Sequence, residues 1–452
     1  MTGSFEPHVG VTSGLAEEVP ATGFDRFGRQ TLETFASLAL SSVAGGIYIV
    51  VVARWLGPSG LGVLSVLLLL SATGTLILAD ALSLANIYLG AMRPSTRGAL
   101  LTNSLIVSGV GGIALGALAL MIFALAGLHF GATYLELALI AASLPLTAAG
   151  KLVTVLVLAT GRSRPYNVLS LGGQLLMPAF TAIAFALSYT SVLAVVIAYL
   201  GATAVVLAAA LLVVQMPLGS PSLALLVESM KYGLRGSVGN IFQFLNYRLD
   251  FFLVSALRGT ATVGVYSVAV GLAELLWKIP SAASTILFPR VAAGSPGGVA
   301  FTARVSRISL TVTAAAAAAL TLVGYPLIHL LFGHMFSGAF VPMVLLMPGV
   351  VALSISNILA SDLAGRGRPG YSSYAAGLTL GLTIGLDVLL IPKWGASGAA
   401  IASTAAYSAS ALFLLVTFSR LFGIAISDLV IVRRDDIGAL PRPRRARATA
   451  KP

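Results

Sequence analysis

The chain has 452 residues, 58% of them hydrophobic and 9% charged, with 27 Lys and Arg against 15 Asp and Glu. Soluble domains carry about a quarter charged residues, so a mean hydropathy of +0.97 excludes a soluble globular protein and indicates a polytopic membrane protein. The absence of cysteine excludes disulfides, cysteine-ligated zinc, iron–sulfur clusters and thiol catalysis.

In chain order, residues 1–30 are polar and mixed in charge, without the basic start and short apolar core of a signal peptide. They read as a disordered cytoplasmic N-tail, with the first helix retained. Roughly 20 apolar residues cross a bilayer, and twelve runs reach that length: 31–53, 62–90, 99–126, 133–158, 166–188, 191–215, 232–256, 261–289, 306–325, 341–362, 371–391 and 398–420. The expected fold is therefore all-α, with about 12 transmembrane helices. The domain plan is an N-terminal lobe at 31–215, an inter-lobe linker at 216–231, a C-terminal lobe at 232–420 and a basic cytoplasmic tail at 421–452. The second and eighth runs are long enough to tilt or kink, and Pro280 offers a kink in the eighth.

Lys and Arg stay on the cytoplasmic side during insertion. With the N-terminus inside, 21 basic residues fall in inside segments and only Arg54, Arg258 and Lys393 in outside loops, while Lys151, Arg248 and Lys278 lie within spans. This places both termini in the cytoplasm and the chain in the cell inner membrane.

Two repeats show how the helices are organised. GRSRP at 161–165 recurs as GRGRP at 365–369, after the fourth and tenth spans. VARWLGPSGLGVLSV at 52–66 aligns without gaps on VSALRGTATVGVYSV at 254–268, with Gly57/Gly259 and Gly62/Gly264 among the identities. Such matches indicate an internal duplication. Six helices per repeat insert with the same orientation, so two six-helix lobes are expected about a pseudo-two-fold along the membrane normal, with substrate at their interface.

LGPSGLGVLSV after the first helix, NYRLDFFLVSALRGTATVGVYSVA across the seventh and eighth, LFGHMFSGAF before the tenth and IPKWGASGAAIAS into the twelfth complete the picture. Over residues 31–425 the chain resembles the polysaccharide-biosynthesis flippases. These are Wzx-type oligosaccharide-lipid transporters of the multidrug/oligosaccharidyl-lipid/polysaccharide exporter superfamily. The resemblance implies two lobes around a cavity open alternately to each side, and translocation of polyprenyl-diphosphate-linked glycans to the outer leaflet. It also implies membrane lipids and polysaccharide polymerase or glycosyltransferase partners, with no cofactor. The alternatives within the superfamily are a lipid II-type flippase and a cation-coupled multidrug exporter. The latter is disfavoured because the first helix has no acid in its middle.

A charge in hydrocarbon costs about 2.5–3.5 kcal/mol on insertion scales, so each one needs a partner, a water-filled cavity or a function. Along the seventh helix Arg235, Asn240, Gln243, Asn246, Tyr247 and Asp250 fall within an arc of about 140° at 100° per residue. This polar stripe is expected to line the cavity, its amides bonding sugar hydroxyls and Arg235 a diphosphate oxygen. The competing reading is a polar seam between helices of one lobe. Arg248 lies off the stripe and Lys151 about two turns before the inner end of its helix; both are further substrate-binding candidates. Glu274 and Lys278, four apart, can pair on one helix face, with Lys278 also a candidate. Asp80, Glu274 and Asp387 are candidates for ion coupling.

His8, His129, His329 and His334 lack metal-ligand spacing, so no metal is expected. GVGGIALG at 109–116 lies in an apolar span and reads as helix packing, and no Walker loop is present. The outer loops are short and nearly uncharged, which disfavours an enzyme working on sugars. The tail PRPRRARATAKP at 441–452 is expected to touch anionic headgroups; nucleic acid is not an expected partner.

Overall fold

The computed structural model describes residues 21–127, 130–293, 298–433 and 436, with only the backbone described for residues 21–42 and for Arg235. Every regular element among the described residues is helical. The first, α1 (Ala21–Met92), has 72 residues, far more than a ~30 Å hydrocarbon core requires. It is broken at Gly57, whose φ of 65° and ψ of −176° belong to a region that only glycine enters at low cost. The next crossing runs through α2 (Arg97–Ile106), one π turn at Val107–Gly111 and α3 (Gly112–Ala126). It is followed by α4 (Tyr134–Ala159), α5 (Ser163–Ala186) and α6 (Val192–Val214).

The second half holds α7 (Leu223–Arg258), α8 (Thr260–Ala292), α9 (Gly298–Phe332), α10 (Phe340–Gly365), α11 (Gly370–Trp394) and α12 (Ala396–Phe422). A short α13 (Ile426–Val430) follows. Ten helical stretches among the described residues are long and apolar enough to cross a membrane. The twelve sequence runs differ from these in two places. The first two share α1 across the Gly57 break, and the seventh lies on α7, which is long enough but too polar to qualify by composition.

Two sequence boundaries need correction. The linker is shorter than 216–231, because α7 starts at Leu223 with the Ser222 hydroxyl accepting from the Leu225 N–H. Residues 21–30, assigned to a disordered tail, are helical; residues 1–20 lie outside the described residues. The C-terminal tail begins as folded structure: Leu429 of α13 is fully buried against Phe418, Leu363 and Ala303.

Ten of the thirteen described residues with positive φ fall in pairs at a spacing near that of the sequence repeat: Gly57/Gly259, Gly131/Gly333, Gly161/Gly367, Ser188/Gly395 and Gln215/Gly423, separated by 202, 202, 206, 207 and 208 residues. The basic turns therefore match with Gly161 opposite Gly367, two residues away from the register in which their letters align.

The two halves meet most closely where the second arm of α1 crosses α8. A Cβ on Gly62 would stand 1.8 Å from the Thr260 carbonyl oxygen, and one on Gly264 would stand 1.9 Å from that of Pro58. Gly62 and Gly264 are equivalent in the repeat, as are Pro58 and Thr260, so the contact is reciprocal. Nearby, Arg54 Nε donates to the Leu331 carbonyl at 2.7 Å and Nη2 to that of Leu330, capping the end of α9.

At the opposite end of the bundle Arg307 of α9 holds Asp436 through Nε at 2.6 Å and Nη2 at 2.7 Å, while its Nη1 donates to the Asp428 carbonyl at 2.5 Å. This bidentate grip ties the chain after α13 to α9. The Arg307 guanidinium holds the Asp436 carboxyl down at about 2.

Two tests follow from this packing. Gly62→Ala and Gly264→Ala should each lower stability by about 1–3 kcal/mol through overpacking against backbone. Gly377→Ala, with open space at its Cβ, should be neutral; thermal unfolding of the three purified variants decides this. Asp436→Asn should speed proteolytic cleavage between 426 and 433. In the native chain, Asp436 is ionised more readily folded than unfolded, so its grip should persist above pH 4. It should be lost as the pH falls towards about 2, read by the same cleavage assay.

Candidate functional site

Beside the glycine crossing the halves part. The first arm of α1, α5, α8 and the end of α9 enclose a cavity of about 670 Å³. Its walls are largely apolar, with Val43, Ile47 and Leu275 among them, and glycines 45, 46 and 271 keep the helix surfaces low. The polar lining is Gln174 of α5 with Glu274 and Lys278 of α8. Glu274 takes a partner from another helix: its Oε1 lies 2.8 Å from Arg248 Nη1 of α7, with the guanidinium carbon 5.7 Å from the Phe251 ring centroid. Lys278 follows one turn later on the cavity wall.

The predicted α7 stripe does not face one surface. Its side chains divide among three surroundings, which corrects the expectation of a single cavity-lining face. Asn240 points across the seam and donates to Asp80 Oδ2 of α1 at 3.2 Å. Lys151 of α4 donates to the other Asp80 oxygen at 3.1 Å, so the two isolated charges of the first half satisfy each other. Gln243, Asn246 and Tyr247 line a pocket of about 70 Å³ among α7, α10, α11 and α12, inside the second half. Asn246 is 2% exposed and donates to the Ala376 carbonyl at 3.0 Å.

Asp250 is sealed deeper, 3% exposed, accepting from the Tyr266 hydroxyl at 2.5 Å and from the Phe251 N–H at 2.9 Å. The Asn246 and Asp250 assignments to the inter-half cavity are therefore corrected to a seam within the second half. An arc of about 140° is wide enough to be shared between two packing surfaces, and an amide buried beside small residues is satisfied by a neighbouring carbonyl. The Arg235 side chain lies outside the described residues.

The three coupling candidates also separate. Asp80 has Lys151 and Asn240, and Glu274 has Arg248. Asp387 of α11 is fully buried, and neither carboxyl oxygen has a hydrogen-bond partner among the described residues. The hydroxyl of Thr383, one turn earlier, is likewise unpartnered, and Asp250 lies within electrostatic reach. A bare buried carboxylate is costly unless it holds a proton or a cation.

His8 and His129 lie outside the described residues. The His329 ring lies beside that of Tyr325, tilted by 43° with centroids 4.6 Å apart, and no cluster of three metal-ligating side chains occurs among the described residues. Sequence reasoning passed over Gln174. The signal was available, since it is a lone amide midway along an apolar span.

The chain matches the family model described as polysaccharide biosynthesis protein over residues 51–341. No curated protein matches it in sequence. Among solved structures it is similar to the lipid II flippase MurJ in an inward closed conformation, with a TM-score of 0.74 at 14% identity over 88% of each chain. It is also similar to an inward-facing multidrug resistance MATE family transporter of the MOP superfamily, with a TM-score of 0.65 at 16% identity over 88% of this chain and 98% of that one. A Vibrio cholerae MATE transporter, VcmN, matches with a TM-score of 0.55 at 13% identity over 90% and 99%. These likenesses establish the shared fold, and the solved relatives are transporters rather than enzymes.

In this cysteine-free chain, Gln174→Cys and Lys278→Cys should react with an aqueous methanethiosulfonate reagent, whereas Asp250→Cys should not. Equal protection of all three positions would remove the cavity from the list of aqueous surfaces.

Proposed function

The chain belongs to the polysaccharide biosynthesis protein family, and we propose that it is a flippase carrying a polyprenyl-diphosphate-linked oligosaccharide from the inner to the outer leaflet by alternating access of its two halves. The observation that carries this reading is the cavity between α1 and α8, apolar along most of its wall and polar at Gln174, Glu274 and Lys278. Such a lining suits a cargo that is itself part lipid and part anion: the ammonium of Lys278 attracts a phosphate oxygen, the Gln174 amide bonds a hydroxyl, and the apolar wall receives the first isoprene units. Arg248 holds Glu274 and limits its repulsion of the anion.

In this reading the arginine-rich end of the bundle faces the cytoplasm, with both termini there and the protein in the inner membrane. Asp387 is the ion-coupling residue, its carboxyl gaining a proton or a cation when the surrounding helices part. Asp80 and Glu274 already have partners and take structural roles. A lipid II-type flippase is the second reading, favoured by the fold match to MurJ. The two differ in headgroup and are separated by the same experiment.

That experiment depletes the protein in its native cell and identifies by mass spectrometry any prenyl-diphosphate-linked glycan that accumulates on the cytoplasmic side. Accumulation of a polysaccharide repeat unit supports the primary reading, and accumulation of lipid II the second. An unchanged lipid-linked pool rejects both. Complementation with Lys278→Ala should restore export at least about tenfold less well than wild type, as expected for loss of one charge-assisted contact.

A further inference from the structure

A second cleft lies at the arginine-rich end of the seam, where the last turns of α1 meet the first turns of α7. Its volume is about 530 Å³. Across it Tyr88 of α1 stacks on Tyr232 of α7, with ring centroids 4.5 Å apart and planes 8° from parallel. Just beyond, a single nitrogen of Arg93, Nη1, reaches both carboxyl oxygens of Glu228 at 3.0 Å. Both side chains remain accessible, at 52% and 43%. Lys231 lines the same cleft and makes no ion pair among the described residues. The cleft thus presents two cations against one carboxylate, with one cation on each half of the molecule.

That arrangement leaves binding capacity unused. A guanidinium has five N–H donors in a planar fork, and the carboxylate of Glu228 engages one nitrogen only. An exposed pair of this kind contributes little, so it yields readily to a better anion. A diphosphate carries more charge and more acceptor oxygens than a carboxylate, and can meet the guanidinium in bidentate fashion while reaching Lys231. The tyrosine rings offer faces and hydroxyls to whatever the diphosphate carries, and Leu89, Met92 and Val227 supply an apolar floor.

We propose that this cleft is a docking site for the diphosphate group of the incoming lipid-linked substrate, bound by Arg93 and Lys231 in competition with Glu228. The proposal rests on the flippase reading for the identity of its ligand. The anion bridges α1 and α7, and so the two halves, at the arginine-rich end of the seam.

The test is equilibrium binding of labelled inorganic pyrophosphate and of farnesyl diphosphate to the full-length purified protein, with farnesol as the neutral control. Arg93→Ala and Lys231→Ala should each weaken diphosphate binding about tenfold, as for the loss of one charge-assisted contact. Glu228→Gln should tighten it severalfold, because the competing carboxylate is gone; a site to which Glu228 is irrelevant would not respond. Binding should also weaken as salt is raised. Binding of both anions, or of farnesyl diphosphate alone, with this pattern of variants supports the proposal. Binding of pyrophosphate alone marks a site for free phosphate compounds and overturns the lipid assignment. No binding, or binding indifferent to all three substitutions, overturns the site. If depletion in cells still traps a lipid-linked glycan in that case, only the docking site falls. If binding holds while nothing accumulates, the flippase reading falls and the anion site stands.

Discussion

The arrangement of the two halves rests on a contact between backbones. Gly62 lies against the Thr260 carbonyl and Gly264 against that of Pro58, each at a distance that no side chain allows. A close approach of this kind requires hydrogen in place of Cβ on both helices, and it sets how near α1 lies to α8. The breaks that bring those positions together are themselves glycines: Gly57 turns the first arm of α1 into the second, and Gly259 turns α7 into α8. One duplicated motif therefore supplies both the bends and the crossing. The Arg54 cap on the end of α9 and the packing of Gly131 beside Thr260 and Val63 are built around it.

With the crossing fixed, the charges within the spans arrange themselves by pairing. Asp80 meets Lys151 and Asn240, Glu274 meets Arg248, and Asp362 meets Arg366 four residues on. In a medium where an isolated charge costs several kcal/mol, pairing across helices is the inexpensive arrangement, and it also ties helices that are distant in sequence. Asp387 departs from that pattern among the acids of the described spans: it is fully buried and has no hydrogen-bond donor among the described residues. Residues that depart from the rule governing their neighbours are where function is best sought, because packing alone gives no reason to keep them.

Much of this was legible in the letters. Apolar runs gave the helices, and the repeat around Gly57 and Gly259 marked the two glycines at which the helices break. The use of the duplication as a crossing was not legible, since that needs the distance between Gly62 and Thr260. The α7 stripe shows where periodicity fails. It identifies polar residues on one side of a helix, yet a helix has two neighbours on that side, and Asn240 and Asp250 went to different ones. The Lys151–Asp80 and Arg248–Glu274 pairs join residues on different helices, and nothing in the spacing selects those partners. The basic turns show a smaller failure: GRSRP and GRGRP align letter for letter except at Ser163/Gly367, yet the positive φ sits at Gly161 in one and at Gly367 in the other, because the second turn alone has a glycine at the later site to take it.

The seam between the halves is closed on one side and parted on the other, and that asymmetry bears on the kind of cargo. Along the second arm of α1 the contact continues from the glycine crossing to Gly233, where a Cβ would stand 1.9 Å from the Ala81 carbonyl oxygen. Among the described residues of the first arm no such approach occurs: glycines 45 and 46 have open space before them, and the cavity lies between this arm and α8. Val43 and Ile47 on that arm are both 61% exposed, an apolar surface that suits lipid rather than water. A water-soluble cargo needs an aqueous opening at one end of the bundle. A cargo with a prenyl tail needs in addition a lateral slot through which the tail remains in hydrocarbon while the headgroup is enclosed. The parted side of the seam, apolar on its wall and charged at Glu274 and Lys278, has the chemistry for the second requirement, and this is the physical argument behind the proposed lipid-linked cargo.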